Sequence, residues 1–193
     1  MEQLNTDLRT IVYDYLGDSA QICNIHLPTI QSKPIIALFE ASIVGCRLTF
    51  GLYRDHIKDI NICDVLEIAS NIVLHDSTEL MSYIENMISW NRSSWEVLVR
   101  FAIRHRRVGS LWLLFIWRTD YICTVDHALY AVECDAAECL MIMRQDTSNF
   151  PLCMIRAAMF DSIDCIHAIH KIIPQSVYEN CSFAAKINRI LKL

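Results

Sequence analysis

The sequence predicts an α+β fold, predominantly α, in which a short strand-forming N-terminal part precedes a series of stacked helical hairpins. Three observations predict it. Two apolar stripes, Val65, Ile68, Ala69, Ile72, Val73 and then Trp95, Leu98, Val99, Ala102, Ile103, share the i, i+3, i+4, i+7, i+8 spacing that places five side chains on one helix face. Each stripe is followed by a short polar break and a second apolar segment, the pattern of a helical hairpin. Clusters of β-branched and aromatic residues are confined to the chain ahead of residue 28.

Taken in order, Thr10-Ile-Val-Tyr-Asp-Tyr15 ends at Gly17-Asp18 and is followed by Gln21-Ile-Cys-Asn-Ile25, which predicts a β-hairpin with strands at 8–15 and 20–25. Pro28 suits the first turn of a helix, and Pro34 starts another that carries Ile35, Ile36, Leu38 and Phe39. Helices are expected at 64–73, 79–88, 95–104 and 110–117. Five pairs place a capping residue three positions ahead of an acid: Asp64 and Glu67, Asp76 and Glu79, Ser93 and Glu96, Asp161 and Asp164, Ser176 and Glu179. Such a pair satisfies free N–H groups in a first turn, and the acid suits the helix dipole, so each is expected to begin a helix. With four glycines and no Pro/Gly/Ser-rich linker, the segments must be joined by tight turns.

Length and composition fix the broad class. A chain of 193 residues that is 53% hydrophobic is ample for a core, and disorder is not expected. The nine cysteines are scattered without a C-x-x-C pair and fall mostly on apolar faces, which reads as buried, reduced thiols in an intracellular protein, expected in the cytoplasm or also in the nucleus. MEQLNTDLRT is polar and acidic, so no secretory signal is expected. The longest apolar run, Leu111 to Trp117, is far below the roughly 20 residues that span a bilayer. Residues 1–92 hold 6 Lys/Arg against 12 Asp/Glu, and 93–193 hold 11 against 10, so the N-terminal part is the acidic one. A net-acidic chain repels phosphate backbones, and nucleic acid is not expected as a partner. The only basic concentration is Arg100, Arg104, Arg106 and Arg107; Arg100, Arg104 and Arg107 are expected on the helix face opposite the apolar stripe, in solvent.

These residues resemble the BTB/POZ domain followed by its BACK extension. Asp7-Leu-Arg-Thr-Ile-Val12 is similar to the family's first strand, and Ile25-His26, Ile30, Ser32, Pro34 and Leu38-Phe39 to its helical hairpin. Leu52-Tyr53, Ile57, Ile62, Val65-Leu66, Ala69, Leu74 and Leu80 resemble the end of a BTB domain. Trp95-Glu-Val-Leu-Val-Arg-Phe-Ala-Ile-Arg-His105, with Leu111 and Phe115-Ile116, is similar to the opening of a BACK domain. The resemblance covers about residues 7–120 and implies a truncated BTB/POZ-like domain at 1–90 and BACK-like helical hairpins at 91–193. It implies a protein–protein interaction adaptor, not an enzyme, that bridges or competes in cullin-based ubiquitin ligase assembly. Phe101 and Ala102 would join two hairpins.

Only thirteen residues separate Phe39 from Tyr53, against roughly thirty-five in the family. The missing piece holds the third strand and the apolar-x-Glu loop that docks a cullin, so cullin contact would have to come from the 93–120 surface. No kelch repeats follow. Such a pared-down form suits a large DNA virus keeping an adaptor or competitor for host proteins. Two other resemblances stand beside this one. Leu4, Asp7-Leu8, Ile11-Val12 and Tyr15-Leu16 fit the opening of an F-box, with Asn5 where proline is expected, and require a helix over 4–16. Ala131-x-x-x-Asp135-x-x-Glu138-Cys-Leu140 and Ala157-x-x-x-Asp161-x-x-Asp164-Cys-Ile166 repeat one another and resemble divergent ankyrin units.

Little in the chain points to chemistry. The densest soft-ligand cluster, Cys165-x-His167-x-x-His170, reads as a helix with a buried thiol and solvated histidines; no catalytic motif or phosphate loop is present, and no metal or cofactor is expected. The four tryptophans lie between 90 and 117, with Trp95 on the apolar stripe. Trp112 and Trp117 flank the Leu111, Leu114 and Phe115 face, so the candidate partner-binding residues are Arg104, Arg107, Trp112 and Trp117.

Overall fold

The computed structural model describes residues 34–45, 47, 50, 51, 61–85, 92–117, 123–143 and 149–192. Among these residues the chain is predominantly helical and contains no strand. The expected strands at 8–15 and 20–25, the helix at Pro28 and the F-box opening lie outside the described residues. Contacts divide the chain into two compact units, Met1–Ser89 and Trp90–Leu193.

In the first unit, helices α1 (Pro34–Val44), α2 (Ile62–Leu74) and α3 (Thr78–Glu85) pack in succession, α1 on α2 and α2 on α3. The carboxamide oxygen of Asn61 caps α2, accepting from the N–H groups of Cys63 at 2.9 Å and Asp64 at 3.1 Å. Leu38 and Ala41 of α1 and Val65, Ile68, Ala69, Ile72 and Val73 of α2 are buried with Leu80, Met81 and Ile84 of α3. The stripe read from the sequence is therefore core.

The second unit contains α4 (Arg92–Arg104), α5 (Val108–Trp117), α6 (Val125–Glu133), α7 (Ala137–Ile142), α8 (Phe150–Phe160), α9 (Ile163–His170), a 3-10 turn at Gln175–Val177, and α10 (Ala184–Leu191). The leading helices α4, α6 and α8 pack side by side, and so do the trailing helices α5, α7 and α9, with α10 against α9. The unit is thus two layers of helices made from three successive hairpins and closed by a terminal helix. On α4, Trp95, Leu98, Val99, Ala102 and Ile103 are all buried.

One turn joins every described hairpin. Asp76, Arg106, Asp135 and Asp161 adopt left-handed backbone, at φ 51, 56, 48 and 58. The next residue donates its N–H back five positions: Ser77 to Ile72 at 3.1 Å, Arg107 to Ala102 at 2.8 Å, Ala136 to Ala131 at 2.8 Å and Ser162 to Ala157 at 2.9 Å. This is the helix-ending motif in which a left-handed residue lets the following N–H return to a terminal carbonyl. Gly45, at φ 73 after α1, has the same backbone, and glycine is the residue that adopts it without strain.

The burial pattern travels with the turn. Seven residues before the left-handed position stand Leu38, Ala69, Val99, Ala128 and Met154; four before it stand Ala41, Ile72, Ala102, Ala131 and Ala157; five after it stand Phe50, Met81, Leu111, Leu140 and Ile166. All fifteen are buried, so five segments of unlike sequence present one apolar register.

This turn corrects three expectations. Asp76 and Asp161 do not open helices; they occupy the left-handed residue that ends one, a role the short acidic side chain tolerates and which leaves the acid three residues later in the first turn of the next helix. Ser93 lies inside α4, and Ser176 lies in a 3-10 turn with no α-helix starting there. Arg107 does not share the outer face of α4: it lies past the end of that helix, in the turn, and is half-buried.

Candidate interaction surface

Polar contacts, some of them buried, fasten each hairpin of the second unit to the next. Thr124 is the N-cap of α6, and its backbone N–H donates to Nδ1 of His127 at 3.1 Å. Because Nδ1 accepts, the ring proton of the neutral imidazole sits on Nε2, which faces Oε2 of Glu96 on α4 at 2.9 Å. Oε1 of Glu96 accepts from Nε of Arg100 at 2.7 Å, and this hydrogen bond raises the Arg100 guanidinium above its ordinary pKa. The guanidinium lies 5.2 Å from the centroid of the Tyr130 ring on α6. A chain of contacts from Thr124 through His127, Glu96 and Arg100 to Tyr130 therefore ties α4 to α6. Sequence reading missed it, because a histidine in the third position of a helix is not a usual capping partner.

The next joint is built from the turns. The Ser162 hydroxyl donates to the Val132 carbonyl at 2.6 Å, and Oδ1 of Asp135 accepts the Cys165 N–H at 3.0 Å. The left-handed residue of one hairpin so caps the trailing helix of the next. Arg156 of α8 pairs with Glu133 of α6, and its guanidinium lies 4.7 Å from the Phe160 ring centroid. At the C-terminal end, the buried Tyr178 hydroxyl lies 2.7 Å from Nδ1 of His170, and Lys186 of α10 pairs with Asp161 at 2.7 Å.

The buried thiols are packing groups. Cys139, Cys153 and Cys165 are buried; burial pushes the Cys153 thiol up to about 11, and burial together with the neighbouring Asp135 carboxylate pushes Cys165 higher. A thiol held protonated is a poor nucleophile and a poor metal ligand. The Cys165, His167, His170 cluster is not assembled: Cys165 Sγ faces the Ala131 carbonyl, His167 is exposed and His170 meets Tyr178. Among the described residues no three His, Cys, Asp or Glu side chains are grouped to hold a metal. No described helix is long and apolar enough to cross a membrane.

The sequence-predicted contact residues separate. Arg104 is exposed on α4, and Trp112 is 52% exposed on α5, with Ile116 one turn further at 49%. Trp117 and Arg107 are half-buried, and Trp95 is core. Trp90 lies outside the described residues. Phe101 is also half-buried, its ring 4.3 Å from that of His105, so Ala102 and not Phe101 is the core residue of that pair. On the α4–α5 hairpin Val97, Arg104, Trp112 and Ile116 are exposed, and on α8 and α9 so are Leu152, Met159, Phe160 and Ile163. No family model, curated protein or solved structure matches this chain.

Proposed function

We propose that the protein is an interaction scaffold: stacked helical hairpins that hold other proteins on exposed helix faces. The observation that carries this reading is the turn register. Four segments repeat one backbone turn, a fifth shares its left-handed residue, and all five share one burial pattern while their outward residues differ, which is the division between shared core and variable surface that repeat scaffolds use for binding. The buried thiols with raised pKa values, Cys153 and Cys165, are turned into packing contacts.

Of the resemblances in the sequence, the ankyrin-like one draws the most support. The alanine and aspartate at 131 and 135, and at 157 and 161, occupy equivalent places in the turn, and Gly45 puts a left-handed residue at the corresponding place after α1. The BTB–BACK form of the reading makes the partner a cullin. Affinity purification from cells with mass spectrometry tests both. A stoichiometric protein partner is expected; a cullin as that partner supports the ligase adaptor, and a different protein supports a scaffold without cullin contact. A protein recovered alone, under cross-linking as well as without it, would overturn the proposal.

A further inference from the structure

In the second unit, polar side chains bridge neighbouring leading helices at fixed places before their turns. Glu96 and Arg100, ten and six residues before Arg106, reach His127 and Tyr130, eight and five residues before Asp135. In the first unit α1 likewise packs on α2, but these places are filled differently. Ten and six residues before Gly45 stand Ile35 and Phe39, and eight and five before Asp76 stand Ile68 and Asn71. The Asn71 carboxamide donates to Oγ of Ser42 at 3.3 Å, and among the described residues no ion pair joins α1 to α2. A groove of about 230 Å³ opens here instead, lined by Ile35, Ile36, Phe39 and Ile68 and by the carboxylates of Asp64 and Glu67. Ile36 is 47% exposed, so the apolar lining reaches solvent.

The acids beside this groove are not balanced by the unit itself. Asp64 lies in the first turn of α2, where a carboxylate suits the helix dipole, and it accepts from the neutral Asn61 carboxamide. Glu67 has neither role: it lies past that turn, is exposed, and makes no hydrogen bond or ion pair among the described residues. Among those residues the first unit sets six carboxylates, Glu40, Asp64, Glu67, Asp76, Glu79 and Glu85, against one guanidinium, Arg47, which pairs with Glu79. An apolar slot edged by two carboxylates repels phosphate and anionic lipid, and attracts an apolar side chain that has a cation beside it.

We infer that the α1–α2 groove is the docking site for a basic protein segment with one apolar anchor. The anchor packs on Ile35, Phe39 and Ile68, and a flanking Lys or Arg pairs with Glu67 and Asp64. This inference rests on the scaffold reading and names its partner class.

Selection of random displayed peptides on the full chain tests it, followed by affinity measurement of the synthetic peptides by fluorescence anisotropy. Selected peptides are expected to combine Lys or Arg with a Leu, Ile or Phe anchor, and their affinity should fall as salt is added. Glu67→Lys and Ile36→Gln, both at exposed positions, should each weaken binding by about tenfold or more with melting curves unchanged. Replacing the peptide cation by glutamate should restore binding to Glu67→Lys. Failure to select any peptide, selection of peptides without cations, or affinity indifferent to both substitutions would overturn the inference. So would a dimer in sedimentation that Ile36→Gln dissolves, since the occupant would then be a second copy. A cellular partner still recovered with both variants would sink this groove while leaving the scaffold reading intact.

Discussion

Nε2 of His127 lies 2.9 Å from Oε2 of Glu96, two residues on different hairpins whose contact is almost wholly screened from water on the histidine side. The same imidazole accepts the N–H that opens its own helix, so one side chain both caps α6 and fastens it to α4. His127→Ala removes a cap and a buried hydrogen bond together, and is expected to cost about 2–4 kcal/mol in denaturant unfolding of the full chain. In a double-mutant cycle with Glu96→Gln, the two losses should be non-additive by about 0.5–3 kcal/mol. Additive losses would show that the pair does not couple the hairpins.

The left-handed turns make opposite predictions at two equivalent positions. Arg106 has a Cβ in a conformation that costs an L-residue about 1–2 kcal/mol, so Arg106→Gly should stabilise by about 0.5–1 kcal/mol after glycine's extra unfolded entropy. Asp135 has the same backbone, but its carboxylate accepts the Cys165 N–H, and Asp135→Gly should destabilise. Chemical denaturation of both variants checks the pair; a shift of the same sign in each would contradict the account.

Burial differs sharply along one helix. Leu98 is fully buried, and Leu98→Ala should cost about 2–5 kcal/mol; Phe101 is half-buried against His105, and Phe101→Ala should cost clearly less. Ala131 of α6 is fully buried, and Ala131→Leu should cost about 1–3 kcal/mol by overpacking. Melting temperatures ranked in any other order would misplace the core.

Stability should fall in alkali. The Cys153 thiol titrates near 11 when folded, against 9.0 for its ordinary value, so above pH 9 the unfolded chain releases a proton that the folded chain still holds. The stabilising difference is complete below pH 9 and is lost as the pH rises through 11. Burial shifts the Cys165 thiol and the Tyr130 and Tyr178 phenols in the same direction. Cys153→Ala should flatten that slope, and iodoacetamide at pH 8 should label exposed Cys63 before either buried thiol.

Periodicity made the helices at 62–74, 78–85, 92–104 and 108–117 legible, because an apolar stripe has to face a core and the spacing names the face. The turns were harder to read. Only Gly45 announces a left-handed residue, and the aspartates at 76 and 161, each followed three residues later by an acid, imitate the capping pair that begins a helix. Arg106 carries no local signal at all for its backbone; its conformation is set by the helices on either side. Trp112 and Arg104 were legible as outward residues, but Arg107 was not, since its place depends on α4 ending at Arg104. His127 needed the fold, because its partner Glu96 is thirty-one residues away.

One turn organises the described hairpins, and amide hydrogen exchange with residue resolution reads its hydrogen bonds one by one. The N–H groups of Ser77, Arg107, Ala136 and Ser162 should exchange as slowly as the interiors of the helices that precede them, because each is bonded back across its turn at 3.1 Å or less. Fast exchange at these four amides, with the flanking helices protected, would contradict the shared turn and the repeat built on it.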